Sequence, residues 1–168
     1  MAVLTKPSVK THAPPRRPPP RDLDWGAAGW AGIAGAFVLI ALETGPLFFS
    51  GDSWRPVRMV AEIVFKFMPT NNPSAFNIAL AALAVHLPLS LIYARLLALL
   101  IYDRRTGPSL VIGVSFGLVI YLINFYVFTA LFPWFAGVRG MAEVADHAAF
   151  GLATAWVYQR LQGRVSDA

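Results

Sequence analysis

The chain has no cysteine, which excludes disulfide frameworks, iron–sulfur clusters and thiol catalysis. Charge is scarce as well: only 14% of its 168 residues are Asp, Glu, Lys or Arg, where soluble domains carry about 25%. It also lacks a Walker loop, an ordered Ser/His/Asp set and a paired-carboxylate motif. The segments between its apolar runs are too short for an active-site domain, so no enzymatic activity is expected. The formal net charge of +5 would suit nucleic acid. The basic residues, however, sit at the ends of apolar runs and in one tail, where they set membrane topology and touch anionic headgroups. Nucleic acid is therefore not an expected partner.

What the chain has in quantity is apolar sequence. Hydrophobic residues make up 57% and the mean hydropathy is +0.56. The run from Phe76 to Tyr102 is 27 residues long, and only His86 and Arg95 in it are charged or chargeable near neutral pH. At about 1.5 Å per residue, roughly 20 apolar residues cross the hydrocarbon core of a bilayer. Three further apolar runs flank it, giving spans at about 25–46, 76–102, 109–132 and 141–161. The expected class is all-α: an integral membrane four-helix bundle over residues 25–162, in a chain with room for one domain.

Residues 1–24 read as a Pro/Arg-rich arm, with five prolines between Pro14 and Pro20 and five Lys or Arg by Arg21. Such a segment favours extended, solvated chain that meets anionic lipid headgroups. It has no signal-peptide core, and its prolines spoil the amphipathic helix of a presequence. Residues 163–168 read as a short basic tail. Between the first two spans, Val57, Val60, Ala61, Val64 and Met68 recur at helical spacing opposite Arg58, Glu62 and Lys66. Pro56 and Pro69 bracket this stretch, which predicts a short helix lying in the membrane interface.

Placing both termini in the cytoplasm puts nine Lys or Arg inside and four outside (Arg55, Arg58, Lys66 and Arg139). Arg95 lies about two turns from the inner end and can snorkel there. With this topology Glu43, His86, Asn124 and His147 all fall in the outer half of the bilayer. Each also shares a stripe with small residues. The first helix aligns Gly29, Gly32, Ala36, Leu39 or Ile40, and Glu43. The second aligns Ala79, Ala82, His86, Ser90 and Tyr93. The third aligns Gly113, Gly117, Tyr121 and Asn124, and the fourth Glu143, His147, Gly151, Thr154 and Tyr158. Small residues pack helix on helix, so the polar groups on their stripes should face into the bundle.

A polar group inside a membrane faces protein or water and finds a partner. Pro88 cannot donate to the carbonyl of Ala84, which invites a kink beside His86, and Ser90 can bond back to the His86 carbonyl. Glu143 and His147 are one turn apart and able to pair; Asp146 adds a further carboxyl near them. Four readings stay open. The cluster ties helices together by hydrogen bonds; or it handles protons, a small solute or a lipid headgroup. Alternatively His86 and His147 are axial ligands of a b-type haem, or Glu43, His86 and His147 hold a metal, for which no diagnostic spacing speaks.

The stretches LETGPLFFSGDSWRPVRMVAEIV, VHLPLSLIYA, GLVIYLINFYVFTALFPWF and DHAAFGLATAWVY resemble a group of small bacterial inner-membrane proteins with four predicted spans. The resemblance covers roughly residues 25–160 and implies a location in the inner membrane, with no established activity. The expected function is accordingly that of a non-enzymatic bundle, acting as a homo-oligomer or as a subunit of a larger membrane assembly. Proton or solute handling at the polar cluster is the first alternative and a haem electron carrier the second.

Overall fold

The computed structural model of the chain describes residues 22–50 and 54–165. The arm expected over residues 1–24 therefore lies outside the described residues except at its end, as do residues 166–168 of the expected tail. Among the described residues the chain is helical and has no strand. Its long elements are α1 (Trp25–Ser50), α2 (Arg55–Phe67), α3 (Ala75–Ile101), α4 (Thr106–Leu122) and α5 (Met141–Val165).

Local sequence explains most of the boundaries. Asp24 caps α1, its Oδ1 accepting from the Ala27 N–H at 2.9 Å, as an N-cap carboxylate does. Ser74 caps α3 in the same way through the Asn77 N–H at 3.2 Å. α3 then continues unbroken through Pro88. The connector to α4 is shorter than expected, because α4 begins at Thr106 and takes Gly107 and Pro108 into its first turn. Proline is tolerated there, where its missing N–H would have no helical partner. Past Leu122 the helix widens into a π turn over Ile123–Val127 and tightens into a 3₁₀ turn over Phe128–Ala130.

Three helices are long and apolar enough to cross a membrane: Trp25–Gly45, Ala75–Ile101 and Thr106–Ala130. α5 is as long but carries Glu143, Asp146, His147, Gln159, Arg160 and Gln162, so its composition alone does not mark it as a span. It nevertheless packs between α1 and α4, while α1 packs in turn on α3. α3 and α4 close the ring only loosely.

Backbones approach most closely where glycines meet. A Cβ added at Gly117 would strike the carbonyl oxygen of His147, and one at Gly151 would strike that of Gly113. Gly32 of α1 lies against Ser90 and Ala94 of α3, whereas Gly35, one turn on, lies against Phe150 and Thr154 of α5. Gly35, outside the stripe expected on α1, thus faces a second neighbour. Gly29, expected on that stripe, has nothing near it.

α2 packs on α3. Ala61 is buried there with Ala81 and Ala82, flanked by Val57, Val60 and Val64. Met68, expected on that face, follows the last helical residue and is 70% exposed. The Trp134 indole donates to the Met59 carbonyl at 3.0 Å. Lys66 reaches the Leu131 carbonyl and lies over the rings of Phe132 and Trp134. Together these contacts fasten α2 to the segment between α4 and α5. At the opposite end, Gln159 Nε2 donates to the Ile101 carbonyl at 2.9 Å and to Ser109 Oγ at 3.0 Å, joining α3, α4 and α5.

Candidate functional site

The α2 end of the bundle encloses a cavity of about 90 Å³, lined by Glu43, His86, Asn124 and His147 from four different helices. Apolar side chains supply most of its wall, including Leu39, Val60, Phe125, Phe128, Phe132, Phe135 and Phe150. The volume holds several water molecules. Ser90 and Tyr93 complete the polar lining.

His147 sits where it does because Gly117 lets α4 ride against its backbone. The ring is buried and is met edge-on by Tyr121 and Phe125, with centroids 5.8 and 5.5 Å away. Its Nδ1 lies 2.9 Å from the Glu143 carbonyl oxygen and its Nε2 3.3 Å from Asn124 Nδ2. A carbonyl only accepts and an amide NH₂ only donates, so Nδ1 carries the proton and Nε2 accepts. Tyr93 Oη in turn donates to Asn124 Oδ1 at 3.2 Å. The result is one directed chain, Tyr93 to Asn124 to His147 to the Glu143 backbone, that crosses from α3 through α4 to α5.

This geometry corrects one expectation. Glu143 serves His147 through its backbone carbonyl, as the i, i+4 spacing along a helix allows, while its carboxyl points elsewhere. With Asp146 and Arg55, Glu143 lines a second cavity of about 210 Å³ between α1, α2 and α5. A third, of about 300 Å³, lies between α1, α2 and α3 and has mostly apolar walls that include Trp54. Glu43 borders all three cavities, and His86 borders the first and third.

His86 is the exception to the satisfied network. Its Nε2 is buried and has no hydrogen-bond partner in the protein. No described hydrogen bond fixes the tautomer of this ring, so Nε2 offers either a lone pair or an N–H. Leaving such a group unpaired costs about 1–3 kcal/mol, and His86 lines two cavities together with Glu43.

Two groups are absent from the expected site list. Tyr93 begins the hydrogen-bonded chain. Arg139, counted only as an outer-loop cation, donates from Nε to the Phe125 carbonyl at 2.7 Å and from Nη2 to Thr129 Oγ1 at 2.9 Å. It also stacks over Tyr126, 4.3 Å from the ring centroid. A π turn leaves carbonyls out of register with the following N–H groups. Arg139 satisfies the one at Phe125, one residue beyond Asn124. No sequence signal marks this, because an Arg in a loop reads first as a topology residue.

The haem reading does not fit these residues. Both ring nitrogens of His147 are engaged within the protein, and a cavity of about 90 Å³ has no room for a macrocycle. Nor, among the described residues, do three His, Asp or Glu converge as a metal ion would require. Comparison of the chain with protein-family models, curated proteins and solved structures gave no match.

Proposed function

We propose that the chain is a four-span membrane protein whose cavity at Glu43, His86, Asn124 and His147 handles protons or a small solute. The unpartnered Nε2 of His86 carries this reading. A group retained only to join helices would have its partner among them. One left empty beside a carboxyl and a water-sized space is placed for something that comes and goes.

α5 is taken as the fourth span because it packs between two apolar helices along its 25 residues, about 37 Å at 1.5 Å per residue. The nine-to-four distribution of Lys and Arg supports cytoplasmic termini, which puts the cavity in the outer half. α2 then lies in the outer interface. The resemblance noted above favours a bacterial inner membrane, with anionic headgroups meeting the basic arm.

A second reading has its own support. The chain from Tyr93 through Asn124 to His147 is fully satisfied, as expected of a bundle built as a subunit or homo-oligomer of a larger assembly. The two are separated by dicyclohexylcarbodiimide, which modifies protonated carboxyl groups in apolar surroundings. Labelling of Glu43 in the folded protein, lost in Glu43→Gln, is the expected result. A Glu43 that stays unlabelled would show a sealed structural group and overturn the site.

A further inference from the structure

We infer that the flank where α1 meets α3 holds an anionic phospholipid, its phosphate on Arg95 and an acyl chain in the groove beside Gly29. This needs α3 to lie in a bilayer, as its length and apolar composition allow. It needs neither the cavity at Glu43 nor a particular orientation of the chain. Arg95 is the only Asp, Glu, Lys or Arg within α3, six residues short of its end at Ile101, or about 9 Å along the axis. Its side chain is exposed, among the exposed Ile92, Leu96 and Leu99. A guanidinium carries five N–H donors. Among the described residues, Arg95 uses only Nη1, which donates to the Leu91 carbonyl of its own helix at 3.5 Å. A charge at this depth calls for a counter-charge, and the protein brings none to it. Asp22 and Asp24 precede α1, and Asp103 follows α3. A phospholipid supplies the missing anion at the level that an arginine reaches by snorkelling, and phosphate oxygens match the guanidinium fork. A free phosphate ion does not enter hydrocarbon, so the source is the lipid.

The facing helix offers the room. Gly32 of α1 lies against Leu91 and Ala94, and Ala28 shares a core with Leu97, Ala98 and Ile101, so α1 and α3 run antiparallel there. One turn from Gly32 toward that core, the same faces present Gly29 on α1 and Arg95 on α3. A Cβ added at Gly29 would meet nothing within 4 Å. The missing side chain leaves a groove beside Arg95 on the lipid side. Trp25, a further turn along α1, is exposed where rings sit at headgroup level. A second copy of the chain suits this flank less well. It would have to bring a carboxylate to the depth of Arg95, yet Glu43, Glu143 and Asp146 all lie toward the end that carries the cavities.

The test is native mass spectrometry of the whole protein, released from micelles that hold phosphatidylglycerol and phosphatidylcholine with the same acyl chains. The unaltered protein is expected to retain phosphatidylglycerol about tenfold better than phosphatidylcholine, since only the former leaves a net charge for Arg95. Arg95→Gln should remove that preference. Arg95→Lys should keep part of it, because the charge stays and the fork is lost. Arg104→Gln, at the exposed turn after α3, should leave it unchanged. Gly29→Leu fills the groove and should lower retention of both lipids with Arg95 in place. Equal retention of the two lipids by the unaltered protein, or a preference that survives Arg95→Gln, would overturn the inference. A lipid-free dimer that dissociates in Arg95→Gln would also overturn it and assign the flank to a second copy. Should Arg95→Gln fail to fold, the two lipids on the unaltered protein and the Gly29→Leu variant still decide. Carbodiimide labelling of Glu43 should be the same with and without Arg95→Gln, so this inference and the proposed cavity stand or fall separately.

Discussion

Asn124 hands its amide N–H to Nε2 of His147 across 3.3 Å, and that one contact fixes the tautomer of the ring and the orientation of the amide. The amide oxygen is then turned to Tyr93, whose hydroxyl donates to it. Asn124 is the only member of the chain that bonds on both sides through its side chain to other helices. Its replacement therefore does more harm than that of either neighbour.

Asn124→Ala leaves the Tyr93 hydroxyl and His147 Nε2 both unpaired. Each orphaned buried group costs about 1–3 kcal/mol, so the loss should be at least about 2 kcal/mol. Tyr93→Phe orphans only one group, Asn124 Oδ1, and should cost about half as much. Thermal unfolding in detergent, followed by tryptophan fluorescence, checks the order. Equal melting temperatures for the two variants would show that the chain through Asn124 carries no weight.

The glycines give a sharper contrast. At Gly117 and Gly151 an added methyl collides with backbone oxygen on the facing helix, which cannot move aside as a flexible side chain would. Gly117→Ala and Gly151→Ala should each separate α4 from α5 and cost at least 2–3 kcal/mol, by the magnitude of overpacking. Gly29→Ala meets nothing and should be neutral or mildly stabilising, since alanine is the better helix former by about 1 kcal/mol in water. Size-exclusion profiles and melting curves of the three variants test this. Tolerance at Gly117 would show that the two helices are less tightly joined.

Much of this architecture is readable from the chain itself. The lengths of the apolar runs, the cap at Asp24, and the small-residue stripe of Gly113 and Gly117 are local signals with local causes. Depth along each helix follows from counting residues, so Glu43, His86, Asn124 and His147 could be put at one level before their cavity was seen. What local pattern does not carry is pairing between helices. Whether His147 turns to the Glu143 carboxyl or to its carbonyl depends on Asn124, 23 positions away. The π turn at Ile123–Val127 depends on a loop arginine that satisfies Phe125. α5 lies in between: a helix over 141–161 is legible in the sequence, but its polar residues do not foretell that it packs between α1 and α4.

Arg139 supplies a prediction of that kind. Arg139→Lys keeps the charge but loses the planar fork that reaches the Phe125 carbonyl and Thr129 together. Orientation in the membrane should be unchanged, because the positive charge remains. Stability should fall by about 1–2 kcal/mol, the magnitude of a hydrogen bond involving a charged group. Reporter fusions at Ala168 and within the 51–75 connector read orientation, and melting curves read stability. A variant that melts like the unaltered protein would show that the π turn needs no outside support. An exported C-terminus in the unaltered protein would reverse the topology and move the cavity to the inner half.

The final prediction concerns His86, where joining helices and holding a ligand predict opposite signs. If the ring only ties α3 to a neighbouring helix, His86→Leu removes a hydrogen bond and lowers stability by roughly 0.6 kcal/mol. If Nε2 is kept open for a ligand, the same change also removes an unpaired buried polar group, worth about 1–3 kcal/mol in the other direction. The net effect is then a melting temperature that holds or rises, with ligand handling lost. Such an exchange of stability for function is common where a site is kept strained or unfilled. His86→Gln is the partner experiment. Its amide retains an acceptor and a donor at similar reach, so it should fold, but it cannot carry a proton at neutral pH as an imidazole can. A site that only needs a hydrogen bond should tolerate Gln in part; one that must be protonated should lose everything. Lower melting temperature in His86→Leu, with Glu43 labelling by carbodiimide unchanged, would make His86 a joint between helices and nothing more.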